Sequence, residues 1–311
     1  MMHSLSRRQQ GLIMTAGGAL TISPDALMVK LIGLPDVDVL LWRGLLTAIG
    51  FAAIVWLRKG RGFWQAYRRC GWTGVGVAFF FACSTCGFVL GNQYTKGGNV
   101  LMILAGAPLM AALLSRVFLH ERLPLRTWAA IFACMAGIAM IVLDDAGGGS
   151  WVGNAFALMA ATAMGCNFTL SRTKSGVDMS PMLALSGLMV AVAAFFASGF
   201  GAGFSAPSAA SWLWLVILCL GILPLGFTFI QRGPLYLPAA EVGLLMLAEV
   251  VAGTVWVWLV LGEEPAPTAL AGGALVIGTL VGKGLYERRL EMRQRRYLAD
   301  LGLTPGEVNE E

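Results

Sequence analysis

The sequence predicts an all-α integral membrane protein in which ten transmembrane helices form two inverted five-helix repeats around a central cavity. Three observations lead to this fold class: an apolar composition, ten apolar runs of membrane-spanning length, and rare residues that repeat at one fixed spacing. Of the 311 residues, 57% are hydrophobic and only 13% are charged, whereas soluble proteins carry about 25% charged residues.

The apolar runs are long enough to cross a bilayer as helices. A hydrocarbon core of about 30 Å requires about 20 apolar residues in a helix. The connections between the runs are short, and a glycine stretch at 147–149 marks the midpoint of the chain. We therefore expect an N-terminal repeat at 1–146, a C-terminal repeat at 147–286 and a cytoplasmic tail at 287–311. The runs are roughly 11–32, 37–57, 71–92, 98–119, 125–143, 151–171, 181–200, 211–232, 239–261 and 268–286.

Rare residues of the two halves coincide when the chain is shifted by 142 residues. Because scarce types such as Trp and Tyr seldom align by chance at one fixed shift, the two halves are interpreted as repeats. An odd number of spans in each repeat makes the second copy cross the membrane in the opposite sense, as in many secondary transporters. The coinciding pairs are Gly11 and Gly153, Lys30 and Arg172, Asp36 and Asp178, Trp72 and Trp214, Tyr94 and Tyr236, and Glu121 and Glu263.

The basic residues predict the orientation of the chain. With ten spans and a cytoplasmic N-terminus, 18 Lys and Arg residues, among them Arg8 and Lys283, fall on the cytoplasmic side. Only Lys30 and Lys96 fall on the opposite side, and Arg43 and Arg116 lie within spans. Because cytoplasmic loops carry the excess of Lys and Arg, both termini are predicted to lie in the cytoplasm and the protein in the cell inner (plasma) membrane. We expect no cleaved signal peptide, because the apolar run that follows Arg7 and Arg8 is longer than a signal core. The formal charge of +5 is thus a topology signal, and no nucleic-acid partner is expected.

The cysteines and histidines predict no cofactor and no metal. Five of the six cysteines lie inside apolar runs, Cys70 lies at the edge of one, and the chain has only two histidines. Cys83 and Cys86 have CxxC spacing, but a redox or metal site would require water, a second pair or histidines. The cysteines are therefore interpreted as small buried side chains.

The candidate substrate site is centred on the apolar stretch 237–265, which carries two carboxylates on one helical stripe. Glu241, Leu245, Glu249 and Trp256 recur at intervals of 4, 4 and 7 residues, which places them on one face of a helix. A carboxylate at bilayer depth costs about 2.5–3.5 kcal/mol, and such residues usually face a bundle interior or a wet cavity. Glu249 is predicted to bind a substrate amine or to couple protons; the alternative is a structural hydrogen bond to a neighbouring helix. Trp256 would stack on a ligand or belong to the aromatic belt at the interface.

A second group of candidates lies in the first two runs. Ser23, Pro24 and Asp25 fall inside an apolar run, where Pro24 removes a backbone donor and can kink the helix. Asp25, Lys30 and Arg43 are predicted to form an ion-paired cluster that lines the cavity or closes the outer gate. The alternative for Lys30 is an ammonium that reaches the membrane interface. Gate or coupling roles are assigned to Asp25, Lys30 and Glu249.

Polar and aromatic residues near the junction of the third and fourth runs complete the predicted site. They would hydrogen-bond a substrate near the outer side, and the alternative is that they cap helices and solvate a loop. Tyr236 is the counterpart of Tyr94 at the 142-residue shift and would lie on the inner side. The residues at the junction are Asn92, Gln93, Tyr94, Asn99 and Met102.

Motifs spread over nearly the whole chain resemble those of the EamA family of the drug/metabolite transporter superfamily. Their order, spacing and duplication carry the resemblance. The chain departs from the family at Val250, where members usually have a proline after the mid-span glutamate. The resemblance implies a ten-helix inverted-repeat carrier, usually an exporter of amino acids or small metabolites. The matching residues are Lys30, Pro35, Arg43, Tyr94-Thr95, Pro108-Leu109, Glu121-Arg122 and Gly137 in the first half, and Ala239-Ala240, LAEVV at 247–251 and Leu261-Gly262-Glu263 in the second.

The predicted function is that of a secondary transporter, in the first instance an exporter. It would move a small amphipathic metabolite, such as an amino acid or an amine, across the inner membrane by alternating access, with protons as the candidate coupling ion. The alternatives are an intramembrane enzyme and a membrane scaffold without transport activity. No catalytic residue is predicted, because no histidine lies in mid-span and no HExxH or GxSxG motif occurs. The expected partners are the substrate and the lipid bilayer, and the oligomeric state is left open.

Overall fold

The computed structural model of the protein describes residues 7–94, 100, 103–104, 106–120, 123–143, 150–174, 176–199, 206–261 and 267–300. Within these residues all regular secondary structure is helical, which confirms the all-α class. A π-helical turn, Ile217–Ile222, joins α9 to α10, and 3-10 turns lie at Gly60–Gly62 and Gly233–Leu235. The helices are α1 (Arg7–Ile22), α2 (Asp25–Ile32), α3 (Asp36–Lys59), α4 (Phe63–Tyr94), α5 (Ala107–Phe118), α6 (Leu125–Leu143), α7 (Trp151–Thr173), α8 (Met182–Ala197), α9 (Ala209–Val216), α10 (Leu223–Gln231), α11 (Ala239–Leu261) and α12 (Pro267–Asp300).

Length and hydropathy single out two helical stretches of the described residues as able to cross a membrane, Val37–Gly91 and Ala209–Leu235. The first of these is not one straight helix, because a 3-10 turn and a bend at Gly71 divide it. Four further apolar helices are shorter than a typical span: Ala107–Phe118, Leu125–Gly137, Met182–Ala197 and Ala271–Lys283.

The first apolar run is broken into α1 and α2 at Ser23 and Pro24, as its proline predicts. Proline has no N–H, so the carbonyl of Leu20, four residues earlier, loses its helical donor. The hydroxyl of Ser23 donates to this carbonyl at 2.7 Å instead. The Leu20 carbonyl therefore keeps a hydrogen-bond donor despite the break. The break also places Asp25 at the first position of α2.

A second discontinuity lies within α4. Gly71 has φ 58° and ψ −156°, a conformation that a residue with a Cβ rarely adopts. The eight residues from Phe63 to Cys70 therefore form a separate helical segment before the apolar part of α4. The predicted run began at residue 71, so the sequence located the apolar part but not the segment that precedes it.

Helix α1 crosses α10, and α4 crosses α7, through short contacts. A Cβ at Gly226 would lie 2.9 Å from the carbonyl oxygen of Gly18, so glycine permits the first crossing. In the second crossing the Ser84 hydroxyl donates to the carbonyl of Ala160 at 3.0 Å. The 142-residue shift relates Gly18 to Ala160 and Ser84 to Gly226. The two crossings therefore join the halves of the chain at equivalent positions.

A second pair of crossings follows the same relation. A Cβ at Gly253 in α11 would lie 3.2 Å from the carbonyl oxygen of Ser23, at the break between α1 and α2. A Cβ at Gly165 in α7 would lie 3.0 Å from the backbone nitrogen of Ala111 in α5. Ser23 corresponds to Gly165, and Ala111 corresponds to Gly253, at the 142-residue shift.

Close packing continues at the crossing of α3 and α8. A Cβ at Gly44 would lie 2.6 Å from the backbone nitrogen of Ala191, and one at Gly187 would lie 2.8 Å from the carbonyl oxygen of Gly44. Small residues of this kind let helix backbones approach closely in membrane proteins. One buried apolar cluster then draws side chains from both halves: Ile22, Ile32, Val39, Ala111, Phe168, Leu215, Leu218, Cys219, Leu223, Ile230, Leu237, Ala239 and Val242.

Candidate functional site

A buried ion pair joins α2 to α3. The guanidinium of Arg43 donates two hydrogen bonds to the carboxylate of Asp25, Nη1 to Oδ1 at 2.6 Å and Nη2 to Oδ2 at 2.6 Å. Asp25 is 5% exposed and Arg43 is 6% exposed, so both charges are removed from solvent. A bidentate geometry of this kind fixes the orientation of both side chains. The break at Pro24 positions this pair, because it turns the first residue of α2 toward α3.

Glu249 of α11 faces the Asp25–Arg43 pair. Its carboxylate interacts electrostatically with both side chains, yet in the described part of the chain it accepts no hydrogen bond and makes no salt bridge. The side chain is half-buried. Two carboxylates and one guanidinium therefore meet at this point, and Asp25 and Arg43 neutralise each other. Glu249 is the ionisable group left without a partner of its own among the described residues.

The same stripe of α11 docks on the helix break. The indole Nε1 of Trp256 donates to the hydroxyl of Ser23 at 2.9 Å, and Gly253 lies one turn closer to Glu249. Trp256 is 43% exposed, so its ring is only partly covered by the protein. Glu249, Gly253 and Trp256 thus bring a carboxylate, a close backbone contact and an aromatic ring to one stripe of α11. The substrate-binding roles predicted for Glu249 and Trp256 stay predictions.

Cys219 is a neighbour of the site that the sequence did not single out. It is buried and lies close to both Arg43 and Asp25. It lies in the π-helical turn, and its carbonyl oxygen is 2.8 Å from the position of a Cβ on Gly50. Single π-helical turns inside α-helices occur frequently at functional sites. An apolar run contains no residue pattern that predicts a π-helical turn, so Cys219 could not be identified from the sequence.

Glu241 makes ion pairs at the other end of α11. Arg8 of α1 donates to both carboxylate oxygens of Glu241, at 3.0 and 2.8 Å, and Nζ of Lys283 in α12 lies 3.3 Å from Oε1. Glu241 is 4% exposed. This three-residue set, called the inner ion cluster below, ties three helices together. Arg8 and Lys283 entered the sequence analysis only as topology signals, because their partner is remote in the chain.

The inner ion cluster marks one end of the helix bundle, called the basic end below. Arg58 and Arg232 also lie there, with side-chain nitrogens 3.4 and 3.2 Å from Oδ2 of Asp178. Arg172 donates to the carbonyl of Pro234 at 3.0 Å.

Other predicted site residues lie elsewhere or outside the described residues. Tyr94 is exposed and stacks on Phe156. Tyr236 is half-buried and packs against Gly11. A Cβ added to Gly11 would lie 2.6 Å from the Cβ of Tyr236. For Lys30, Asn92 and Gln93 the structure describes only the backbone, and Asn99 and Met102 lie outside the described residues.

An apolar groove lies away from the charged residues, between α3 and α8. Its volume is about 360 Å³, and it is lined by Leu45, Leu188, Ala191, Val192, Phe195 and Phe196. It offers no polar group to a ligand. Among the described residues no group of three or more His, Cys, Asp or Glu side chains is arranged to hold a metal ion.

Buried charges at a broken apolar helix are typical of membrane transporters. The chain belongs to the EamA-like transporter family, whose sequence model matches residues 9–143 and 151–282. It is therefore a multi-pass membrane protein of the drug/metabolite transporter superfamily. The chain is 31% identical over 222 residues, 66% of its own length and 69% of the relative's, to the "Probable terminal-alkyne amino-acid exporter" of Streptantibioticus cattleyicolor. A solved crystal structure shares the fold, with a TM-score of 0.78 and 19% identity over 91% of this chain and 99% of that chain.

Proposed function

We propose that the protein exports a small amphipathic metabolite with an ammonium group, such as an amino acid or an amine, across the cell inner membrane. The observation that carries this proposal is the Glu249 carboxylate, which faces the Asp25–Arg43 pair at a helix break and has no hydrogen-bond partner among the described residues. The relative described as a probable terminal-alkyne amino-acid exporter supports both the direction and the substrate class.

The charges at the site favour an ammonium ion as the group that is recognised. Asp25 already neutralises Arg43, so Glu249 is the charge that a bound cation would balance. A buried carboxylate strongly favours a partner of opposite charge, because an unpaired charge in an apolar site is costly. The ring of Trp256 would cover the apolar part of the substrate. The carboxylate of an amino acid would compete with Asp25 for Arg43.

The same carboxylate makes protons the candidate coupling ion. Glu249 can hold a proton or a substrate ammonium ion, but it cannot pair with both at once. Protonation from outside would release the substrate, and deprotonation toward the cytoplasm would restore the binding site. Ionisable residues inside the membrane commonly serve such proton relays.

The proposed architecture is ten spans in two inverted repeats with both termini in the cytoplasm. The two pairs of crossings related by the 142-residue shift support the repeat, because each joins one half of the chain to the other at equivalent positions. Five spans in a repeat require the second copy to be inverted. The basic end would then face the cytoplasm.

The inner ion cluster would act as a closed gate in this architecture. Arg8, Glu241 and Lys283 link α1, α11 and α12 at the basic end. Opening toward the cytoplasm would require Glu241 to exchange these partners. Alternating access would then move the helices around a fixed site at Glu249.

Counterflow in proteoliposomes tests the proposed function. Vesicles loaded with unlabelled amino acids or amines should accumulate the labelled compound, and saturation of the rate would separate a carrier from a channel. Glu249→Gln should abolish this accumulation, whereas Glu249→Asp, which keeps the charge, should retain part of it. A melting curve measured for each variant controls for folding. Wild-type counterflow by Glu249→Gln would contradict the proposal.

A further inference from the structure

A short amphipathic segment at the basic end presents cations and aromatic rings to its surroundings. It comprises residues 60–72, from the 3-10 turn through the first part of α4 to Trp72, and is called the interfacial segment below. Between Trp64 and Arg69 its exposed positions are spaced by three and four residues, so they form one helical face; Arg61 precedes this face in the 3-10 turn, and Trp72 follows the bend at Gly71. The exposed residues other than the glycines are Arg61, Trp64, Gln65, Arg68, Arg69 and Trp72.

The opposite face of the interfacial segment holds it against the protein. The ring of Phe63 lies 5.8 Å from Trp56 and 5.0 Å from Tyr67, centroid to centroid. The thiol of Cys70 donates to the carbonyl of Asp178 at 3.5 Å. Tyr67 and Cys70 belong to a buried cluster that includes residues from the loop before α8. The segment is therefore fixed by packing, and its exposed face has a defined orientation.

Positive charge dominates the exposed face. The sequence contains no Asp or Glu between residues 39 and 120. Among the described residues, Lys59, Arg61, Arg68 and Arg69 are exposed and make no hydrogen bond or ion pair. Lys174 adds a further cation, since its Nζ lies 3.6 Å from the position of a Cβ on Gly71.

The neighbouring acid is already engaged. The Asp178 carboxylate accepts from Arg58 at 3.4 Å through Oδ2, which also lies 3.2 Å from Nε of Arg232, and its Oδ1 accepts from the backbone nitrogen of Ser180 at 3.0 Å. It is therefore occupied by groups that do not belong to the exposed face. Among the described residues, Lys59, Arg61, Arg68 and Arg69 therefore have no carboxylate partner.

The aromatic residues indicate which anion this is. Trp64 is 74% exposed and Trp72 is 90% exposed, beside Arg68 and Arg69. Indole rings are stable at the level of lipid headgroups, where one edge is apolar and the other is wet. Amphipathic helices with basic and aromatic residues lie in this interface and are attracted by anionic lipids.

We propose that the interfacial segment is a binding site for the phosphate headgroup of an anionic phospholipid, with the arginines on the phosphate and the two tryptophans at the acyl boundary. The site is separate from the Glu249 site and does not depend on the proposed transport function. Because the segment packs on the loop before α8, a bound lipid would also hold α4 and α8 together at the basic end.

Lipid binding to the full-length protein in neutral detergent tests this proposal. Native mass spectrometry should show retention of phosphatidylglycerol in preference to phosphatidylcholine. Arg68→Gln with Arg69→Gln should weaken phosphatidylglycerol binding by about tenfold or more and leave the melting temperature unchanged, because both side chains are exposed. Trp64→Ala should weaken it without any change of charge.

A charge-matched control separates a site from general attraction. Arg289→Gln with Arg293→Gln removes the same charge from exposed positions on α12, and it should leave phosphatidylglycerol binding nearly unchanged. An equal loss in both double variants would overturn the proposal, and so would equal retention of the two lipids. Glycerol phosphate that binds as tightly as the lipid would point to a soluble phosphate instead, and tighter binding of an oligonucleotide would point to a nucleic acid.

Discussion

The buried ion pair of Asp25 and Arg43 contributes to stability because a single buried charge without a partner would destabilise the fold. Asp25 and Arg43 stabilise the fold only as a pair, since each alone would be an uncompensated charge in an apolar environment. Asp25→Asn should therefore lower the free energy of unfolding by about 3–5 kcal/mol, which chemical denaturation in detergent can measure. The double variant Asp25→Asn with Arg43→Gln should recover part of this loss. Wild-type stability in the single variant would show that Arg43 finds another partner.

The polar groups of the site were visible in the sequence because each interrupts an apolar run. Asp25, Arg43 and Glu249 could be named from their cost at bilayer depth, and the structure places them together. Their roles in transport stay predictions. Cys219 and Arg8 could not be named, because a cysteine in an apolar run and an arginine near a terminus are ordinary until their neighbours are known.

Cys70 gives a residue-scale prediction at the basic end. Burial, helped by the charge of Asp178 and opposed by that of Lys174, raises the pKa of its thiol from 9.0 to about 11. The neutral thiol is favoured in the folded protein, so this contribution to stability is complete below pH 9 and is lost as the pH rises toward 11. In a variant that keeps Cys70 as its single cysteine, the ultraviolet absorbance of the thiolate should titrate with an apparent pKa near 11. A midpoint near 9 would contradict the buried environment.

At the scale of helices, glycine at the crossings determines how closely the two halves approach. A Cβ at residue 226 would clash with Ile22 and would lie 2.9 Å from the carbonyl oxygen of Gly18. Gly226→Ala should therefore destabilise the protein by about 1–3 kcal/mol, read as a lower melting temperature in detergent. Gly221→Ala is the matched control, since nothing lies within 4 Å of a Cβ there. Equal melting temperatures for the two variants would refute the close crossing.

Helix positions followed from the apolar runs, and two features of the helices did not. The bounds of α6 and α11 match the runs at 125–143 and 239–261, because hydropathy changes sharply at these ends. The helical segment Phe63–Cys70 was not predicted, because its mixture of arginines and aromatic residues is typical of neither a membrane span nor a loop. The π-helical turn Ile217–Ile222 was not predicted either, because hydropathy does not distinguish a π-helix from an α-helix.

At the scale of the whole molecule, the two ends of the bundle differ in charge. The counterparts of Arg8 and Glu241 at the 142-residue shift are Ser150 and Asn99, so the ion pair has no charged equivalent in the other half. We expect the inner ion cluster to favour closure at the basic end. Glu241→Gln should increase the labelling rate of a cysteine placed at the buried position Thr15, measured in inside-out vesicles. An unchanged rate would show that the cluster does not hold the gate.

The inversion of the repeats makes equivalent positions face opposite sides of the membrane. Leu34 and Gly176, and likewise Trp64 and Ala206, are related by the 142-residue shift. Single cysteines at these four positions, in a chain without its native cysteines, should be labelled in intact cells by an impermeant maleimide only at 34 and 206. In inside-out vesicles the labelled positions should be 64 and 176. Labelling of both members of a pair from one side would mean that the repeats run in parallel. A gate at the basic end would then have no mirrored counterpart at the other end, and the structural basis for alternating access would be lost.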